Sequence, residues 1–331
     1  MKKIEIITLK VLRKVYGKLF SSKSSAYDRG ITDPDKVSEL IYTLLASGKS
    51  CMIARFGSTE LSAIVNYLGV SAEKHSAWKF IRGEQPEWWW NKSIMMQMQN
   101  WSGFFPPTEE KLSQFCEMML QDMKEVDVLG SWIGTERWVK NKIEQATKVH
   151  LMLLEPFWAK EPWTRVLKGK RVVVVHPFKE TILSQYNSEN RAELFSNPDT
   201  LPDFASLRVV KAVQSLGGES SNFANWFAAL EWMKREIDRE PYDVCLIGCG
   251  AYGFPLAAHA KRTGHQAIHL GGALQLLFGI KGKRWENPYY GVNVWGIKRG
   301  CYSNLINEYW VRPNDPQRPQ NAQQVEGACY W

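Results

Sequence analysis

Four places along the chain combine polar and small residues in ways that could do chemistry. The first is the turn Arg55-Phe56-Gly57-Ser58-Thr59-Glu60. An arginine there can hold a phosphate through charge-assisted hydrogen bonds, and a carboxylate can act as general base or metal ligand. Arg–Glu pairs at turns are also common structural salt bridges, so on chemistry alone both readings stand. The second is Gly248-Cys249-Gly250-Ala251-Tyr252-Gly253, with glycines at G-x-G-x-x-G spacing after a predicted strand. Small residues let the backbone approach a diphosphate, whose charge a helix N-terminus favours. A dinucleotide site would also need an acidic residue about 20 positions on. The next strand instead ends in His269-Leu270-Gly271-Gly272, which argues against NAD. Two readings remain: a phosphate loop using Gly248, Gly250, Gly253, His269 and Gly271, or merely a tight strand-to-helix turn.

The third place is Gly279-Ile280-Lys281-Gly282-Lys283-Arg284-Trp285. Lys281, Lys283 and Arg284 on a glycine-spaced loop can clamp phosphates, although a solvated surface loop has the same composition. It is not a Walker A motif, so a P-loop ATPase is not supported. The fourth is a pair of strand ends, His176 and Glu155, expected to line the same cleft as an acid–base group and an acceptor-side carboxylate. Fifteen tryptophans are the unusual feature of the composition. Trp88 and Trp101, in an aromatic-rich stretch over 78–105, are expected to shape an acceptor site, since aromatic faces stack on sugar rings; such residues also fill cores. Cys245, Cys249, His259, His265 and His269 lack the paired ligand spacings of structural zinc sites.

The elements that must position these residues read as alternating strands and helices. A helix after Asp33-Pro34 leads to a buried strand, Cys51 to Ala54, and the Arg55 turn opens the helix that follows. Further strands are predicted at Val126 to Leu129, Val149 to Leu154, Lys170 to His176, Leu207 to Val213, Tyr242 to Ile247 and Gln266 to Leu270. Helices are predicted over Glu109 to Lys124, Asn222 to Arg239 and up to Arg262. This order implies βαβ units: an α/β, Rossmann-like, mainly parallel sheet with helices on both faces. Ligands bind such sheets at the carboxyl ends of the strands, where the turns above fall.

Residues 1–20 form a separate pattern. Ile4, Ile7, Val11, Val15 and Leu19 share one helical face flanked by Lys3, Lys10, Lys14 and Lys18. Such a helix can lie on an anionic leaflet or pack on its own domain, and both readings stand. With the Ser-rich hinge after it, it makes a unit over 1–25. The α/β region then spans 26–309, with an aromatic-rich insertion at about 71–150, and 310–331 reads as an irregular surface tail.

The formal charge of +8 over 331 residues favours an anionic partner. Dispersed basic residues disfavour a dedicated DNA-binding face, and no zinc-finger, RRM or helix-turn-helix signature is apparent, so no nucleic-acid partner is expected. No run reaches the roughly 20 apolar residues that span a bilayer, and scattered cysteines fit a reducing, cytoplasmic setting.

The segment Cys51 to Glu60 resembles the opening motif of the GT-D bacterial glycosyltransferases, a strand followed by Arg-Phe-Gly-Asp-Gly-Glu. Arg55, Phe56, Gly57 and Glu60 match it. Residues 242 to 285 are similar to the family's downstream layout of strand, glycine turn, helix, and strand ending in a Gly dipeptide. The resemblance implies a GT-D-like fold and transfer of a hexose from a nucleoside-diphosphate sugar, UDP-linked, to a glycan, lipid-linked or protein acceptor. It implies donor contacts at Arg55, Gly57 and Ser58, with Glu60 as catalytic carboxylate and metal ligand. Ser58 replaces the family's Asp, which leaves open whether a divalent metal, Mg or Mn, is required. A lipid-linked acceptor would suit a protein peripheral to the inner face of the membrane. The rival reading is a non-catalytic nucleotide- or glycan-binding subunit of an assembly complex.

Overall fold

The computed structural model describes residues 2–20, 28–215, 218, 221–314, 317–318, 321–324 and 327–331. The hinge expected at Ser21 to Ser25 lies outside them. Seven strands form one sheet: β1 (Cys51–Arg55), β2 (Val128–Ser131), β3 (Thr147–His150), β4 (Arg171–His176), β5 (Ser206–Lys211), β6 (Val244–Ile247) and β7 (Gln266–His269). Their order is β3-β2-β1-β7-β6-β4-β5, and every pairing is parallel. The architecture is the expected Rossmann-like α/β sheet.

The helices used below are α1 (Lys3–Phe20), α2 (Pro34–Ala46), α3 (Ser58–Val70), α4 (Ala77–Ile81), α5 (Lys92–Ser102), α6 (Glu109–Asp122), α7 (Lys179–Tyr186), α8 (Trp226–Asp238) and α9 (Gly253–Arg262). Several start where the sequence supplies a cap. Asp33, Thr108 and Asn225 each accept a hydrogen bond from a first-turn N–H of α2, α6 and α8, satisfying donors the helix leaves unpaired.

Side chains alternate across the pleat, so each strand feeds two cores. Met52 and Ala54 join Ile64, Phe115, Trp226 and Leu256 on the face covered by α3, α6, α8 and α9. Cys51 and Ile53 join Val37, Ile41 and Ile182 on the face covered by α2 and α7. Burial on both faces explains why Val172 to Val175 is an unbroken apolar run.

Two expectations change. The strand predicted over Val149 to Leu154 stops at His150, and Leu151–Leu154 is a 3₁₀ turn. A β-carbon on Gly130 of β2 would lie 2.6 Å from Leu154 Cδ1, so the missing side chain at Gly130 makes room for this fold-back. The end of the chain is irregular as expected, yet it is not a surface tail throughout. Trp310, Ala328, Cys329 and Trp331 are buried.

Candidate functional site

Parallel register brings Arg55, His269, Gly248 and His176 to the carboxyl ends of four adjacent strands, β1, β7, β6 and β4. The chain runs outward from β1 through β2 to β3, whereas β7 returns to β1 from the other half of the sheet. Such a switch in strand order opens a crevice above the strand ends. The crevice here is partly open to solvent and is lined by Arg55, His176, Gly248 and His269.

Arg55 dominates its floor. The guanidinium lies over the Trp132 ring at 5.2 Å and makes no hydrogen bond or ion pair among the described residues. Burial lowers its pKa, an effect opposed first by the Glu60 carboxylate. Trp132 is itself fixed, donating from Nε1 to the Phe56 carbonyl at 3.0 Å. Glu60 is buried in the first turn of α3, its carboxylate folded back against Gly57. It is the only acidic side chain lining the cleft among the described residues.

The two histidines are neutral in complementary ways. Burial pushes both down to about 3. Phe178 N–H donates to His176 Nδ1 at 3.0 Å, so the His176 proton sits on Nε2. His269 Nδ1 faces the Ile247 carbonyl at 3.3 Å and must donate, which leaves Nε2 bare. His176 is therefore a hydrogen-bond donor in the cleft and a very weak base.

The glycine turn divides into two roles. At Gly248 a β-carbon would meet the Gly271 carbonyl oxygen at 2.5 Å, and both residues line the cleft with Gly250. Gly253 sits beneath it: a β-carbon there would come within 2.1 Å of His269 Cε1. That glycine lets α9 pack onto β7 and does not face the crevice.

Of the remaining expected residues, Gly57, Ser58, Trp101 and Arg284 line the cleft. Arg284 lies 4.6 Å over the Tyr330 ring, and its Nη1 donates to Tyr330 Oη at 3.2 Å. Lys281 and Lys283 do not line it. Their backbones pair with Val311 and Trp331, and Lys283 opens a short helix with its side chain in solvent. Glu155 lies elsewhere, buried, accepting from Trp158 Nε1 and from Tyr302 Oη, each at 2.9 Å. Trp88 is likewise remote, stacked on His75 at 5.4 Å and edge-on to Phe80.

Sequence reasoning missed Trp132, Gln214, Gln275, Tyr330 and Trp331 in the lining. Trp132 follows the last residue of β2, so its strand-end position was a usable signal. Gln275 Nε2 donates to the Ile280 and Tyr330 carbonyls, and among the described residues its buried Oε1 has no donor and the buried Gln214 Nε2 no acceptor. Buried polar atoms in a cleft are natural ligand contacts.

No protein-family model matches the sequence, and no curated protein matches it. A solved structure described as a selenomethionine-substituted domain of unknown function, DUF1792, overlaps it at a TM-score of 0.40 with 12% identity. The overlap covers 96% of this chain and 99% of that one. A likeness this loose carries no argument about activity, so function has to come from the cleft.

Among the described residues no group of three or more His, Cys, Asp or Glu side chains could hold a metal ion. Glu60 alone does not make a metal site. A divalent cation would fit beside it only with oxygens that a bound diphosphate supplies.

Proposed function

We propose that this chain is a glycosyltransferase that binds a nucleoside-diphosphate hexose, UDP-linked, and transfers the sugar to a glycan, lipid-linked or protein acceptor in surface-glycan or glycoprotein assembly. The observation that supports it is Arg55, a cleft arginine whose guanidinium has no acceptor among the described residues, sharing its crevice with Arg284 and the Glu60 carboxylate. Two guanidiniums line the crevice where a diphosphate would lie and can hold it through charge-assisted hydrogen bonds. Backbone approach at Gly248 and Gly250 suits the same group.

In this reading the donor C1–O bond to the diphosphate breaks as the acceptor oxygen bonds to C1. Arg55 and Arg284 stabilise the charge gathering on the departing diphosphate. Glu60 takes the acceptor hydroxyl proton, and His176 Nε2–H donates to a donor oxygen. Trp101, Trp132 and Trp331 offer apolar walls on which sugar rings stack.

The test is calorimetry with UDP followed by UDP release from a panel of UDP-sugars, with and without a lipid-linked oligosaccharide. Binding with acceptor-dependent release is expected. Binding without release by any acceptor would favour a non-catalytic nucleotide-binding subunit, and absence of UDP binding would end the proposal.

A further inference from the structure

Helix α1 presents two opposite faces, and among the described residues only one packs against the rest of the protein. Ile6, Leu9, Arg13 and Tyr16 are half-buried, with the Arg13 guanidinium 4.7 Å over the Phe80 ring and Tyr16 edge-on to Trp78 at 5.9 Å. Lys10 pairs with Glu87 at 2.9 Å. No residue of α1 is fully buried. The other face carries Ile4, Ile7, Val11, Val15 and Leu19, exposed by 77, 52, 54, 47 and 70%. Their spacing of three and four residues makes them one continuous stripe. An apolar stripe of that length on a helix already docked through its opposite side serves neither the core nor solvation.

We infer that this stripe is the seat for an anionic phospholipid bilayer, on which α1 lies in the plane of the interface. Charge decides the occupant. Lys3, Lys14 and Lys18 border the stripe, and α1 carries Lys3, Lys10, Arg13, Lys14 and Lys18 against Glu5 alone. A second copy of this chain docked face to face would bring those cations together, whereas an acidic leaflet complements them. Lysine stems can lie along the acyl boundary while their ammonium groups reach the headgroups. Trp78, 59% exposed and beside Tyr16, adds the kind of aromatic side chain that settles at a membrane–water boundary. No helix among the described residues is long and apolar enough to cross a membrane, so the contact is interfacial. The inference rests on α1 and α4, and it stands or falls apart from the chemistry of the cleft.

The experiment is flotation of the full chain with phosphatidylcholine vesicles, with and without phosphatidylserine. Binding should depend on phosphatidylserine and weaken with salt. Lys14→Glu with Lys18→Glu should weaken it at least roughly fivefold for each lysine lost. Val11→Asp with Val15→Asp, on exposed positions that leave the thermal midpoint unchanged, should abolish it. The inference is overturned if the wild-type chain does not float with acidic vesicles, or if the Asp variant floats as well as wild type. It is equally overturned if the Asp variant turns a solution dimer into a monomer, which would make the stripe a contact between copies.

Discussion

Gly57 and Glu60 are packed so closely that a β-carbon at Gly57 would lie 1.7 Å from Glu60 Oε2. Gly57 is the N-cap of α3 with an extended backbone and no side chain to offer a cap, and the carboxylate three residues on folds back over that end. A negative charge there is favoured by the helix dipole. The Arg-x-Gly-x-x-Glu spacing thus has a geometric content. Arg55 reaches into the cleft from the strand, Gly57 leaves room, and Glu60 returns one helical turn later.

Gly57→Ala should therefore move the Glu60 carboxylate without touching either arginine. Transfer is expected to fall roughly 100-fold, the usual consequence of misplacing a catalytic group by about 1 Å. UDP affinity by calorimetry should change little. Wild-type turnover in a folded Gly57→Ala protein would show that the position of Glu60 does not matter to the chemistry.

Arg55→Ala should weaken UDP binding by about 1.5–3 kcal/mol, the worth of hydrogen bonds to a charged group. Because the Arg55 guanidinium makes no hydrogen bond or ion pair among the described residues, its removal leaves none of their acceptors stranded, and the fold should hold. Arg55→Lys should recover part of the loss, since it keeps the charge and loses the planar fork. Equal affinities for all three proteins would remove Arg55 from the site.

Glu155 makes a prediction about stability. Burial pushes its carboxyl up to about 8, against the lowering effect of its Trp158 and Tyr302 hydrogen bonds. A folded pKa above the unfolded value means the native state holds an extra proton between about 4.5 and 8, so this group's contribution is lost as pH rises through that window. Glu155→Gln keeps the shape and cannot ionise. Its thermal midpoint should match wild type near pH 4.5 and exceed it increasingly towards pH 8. Parallel midpoint–pH curves would mean that the Trp158 and Tyr302 hydrogen bonds keep Glu155 ionised.

The strand pattern was legible because both faces of the sheet are buried, so β4 and β6 read as unbroken apolar runs. The Arg55 and Gly248 turns were legible for the same reason, since strand ends fix where turns must fall. The Lys281 and Lys283 assignment went astray because charge spacing says nothing about which way a loop faces. Here the loop backbone is tied to Val311 and Trp331, and only Arg284 turns inward. Tyr330 and Trp331 carried no readable signal. They reach the cleft through long-range packing of the chain end, in a segment whose Pro, Asn and Gln content resembles that of a surface tail. Trp88 and Trp101 share a composition and differ only in tertiary position, one packed on His75 and the other at the cleft.

Glu60 should be necessary for transfer, and any metal at the site should arrive with the nucleotide. Ser58 provides no charge beside it, and no other acidic side chain lines the cleft among the described residues. A hydrated divalent cation facing one carboxylate gains little, because it keeps its waters and pays no attention to a single weak ligand. A bound diphosphate changes the balance by adding oxygens on the same side, while Arg55 offsets part of its charge. Manganese titrated into the protein without nucleotide should therefore remain free by electron spin resonance, and any uptake should require UDP. Tight uptake by the nucleotide-free protein would reveal ligands beyond Glu60. Glu60→Gln tests the chemistry separately: it keeps the side chain's size over Gly57 and removes its basicity, so UDP should still bind while transfer falls by roughly 100-fold or more. Near-wild-type turnover in that variant would make Glu60 a structural cap of α3, and the base would have to be sought elsewhere in the cleft.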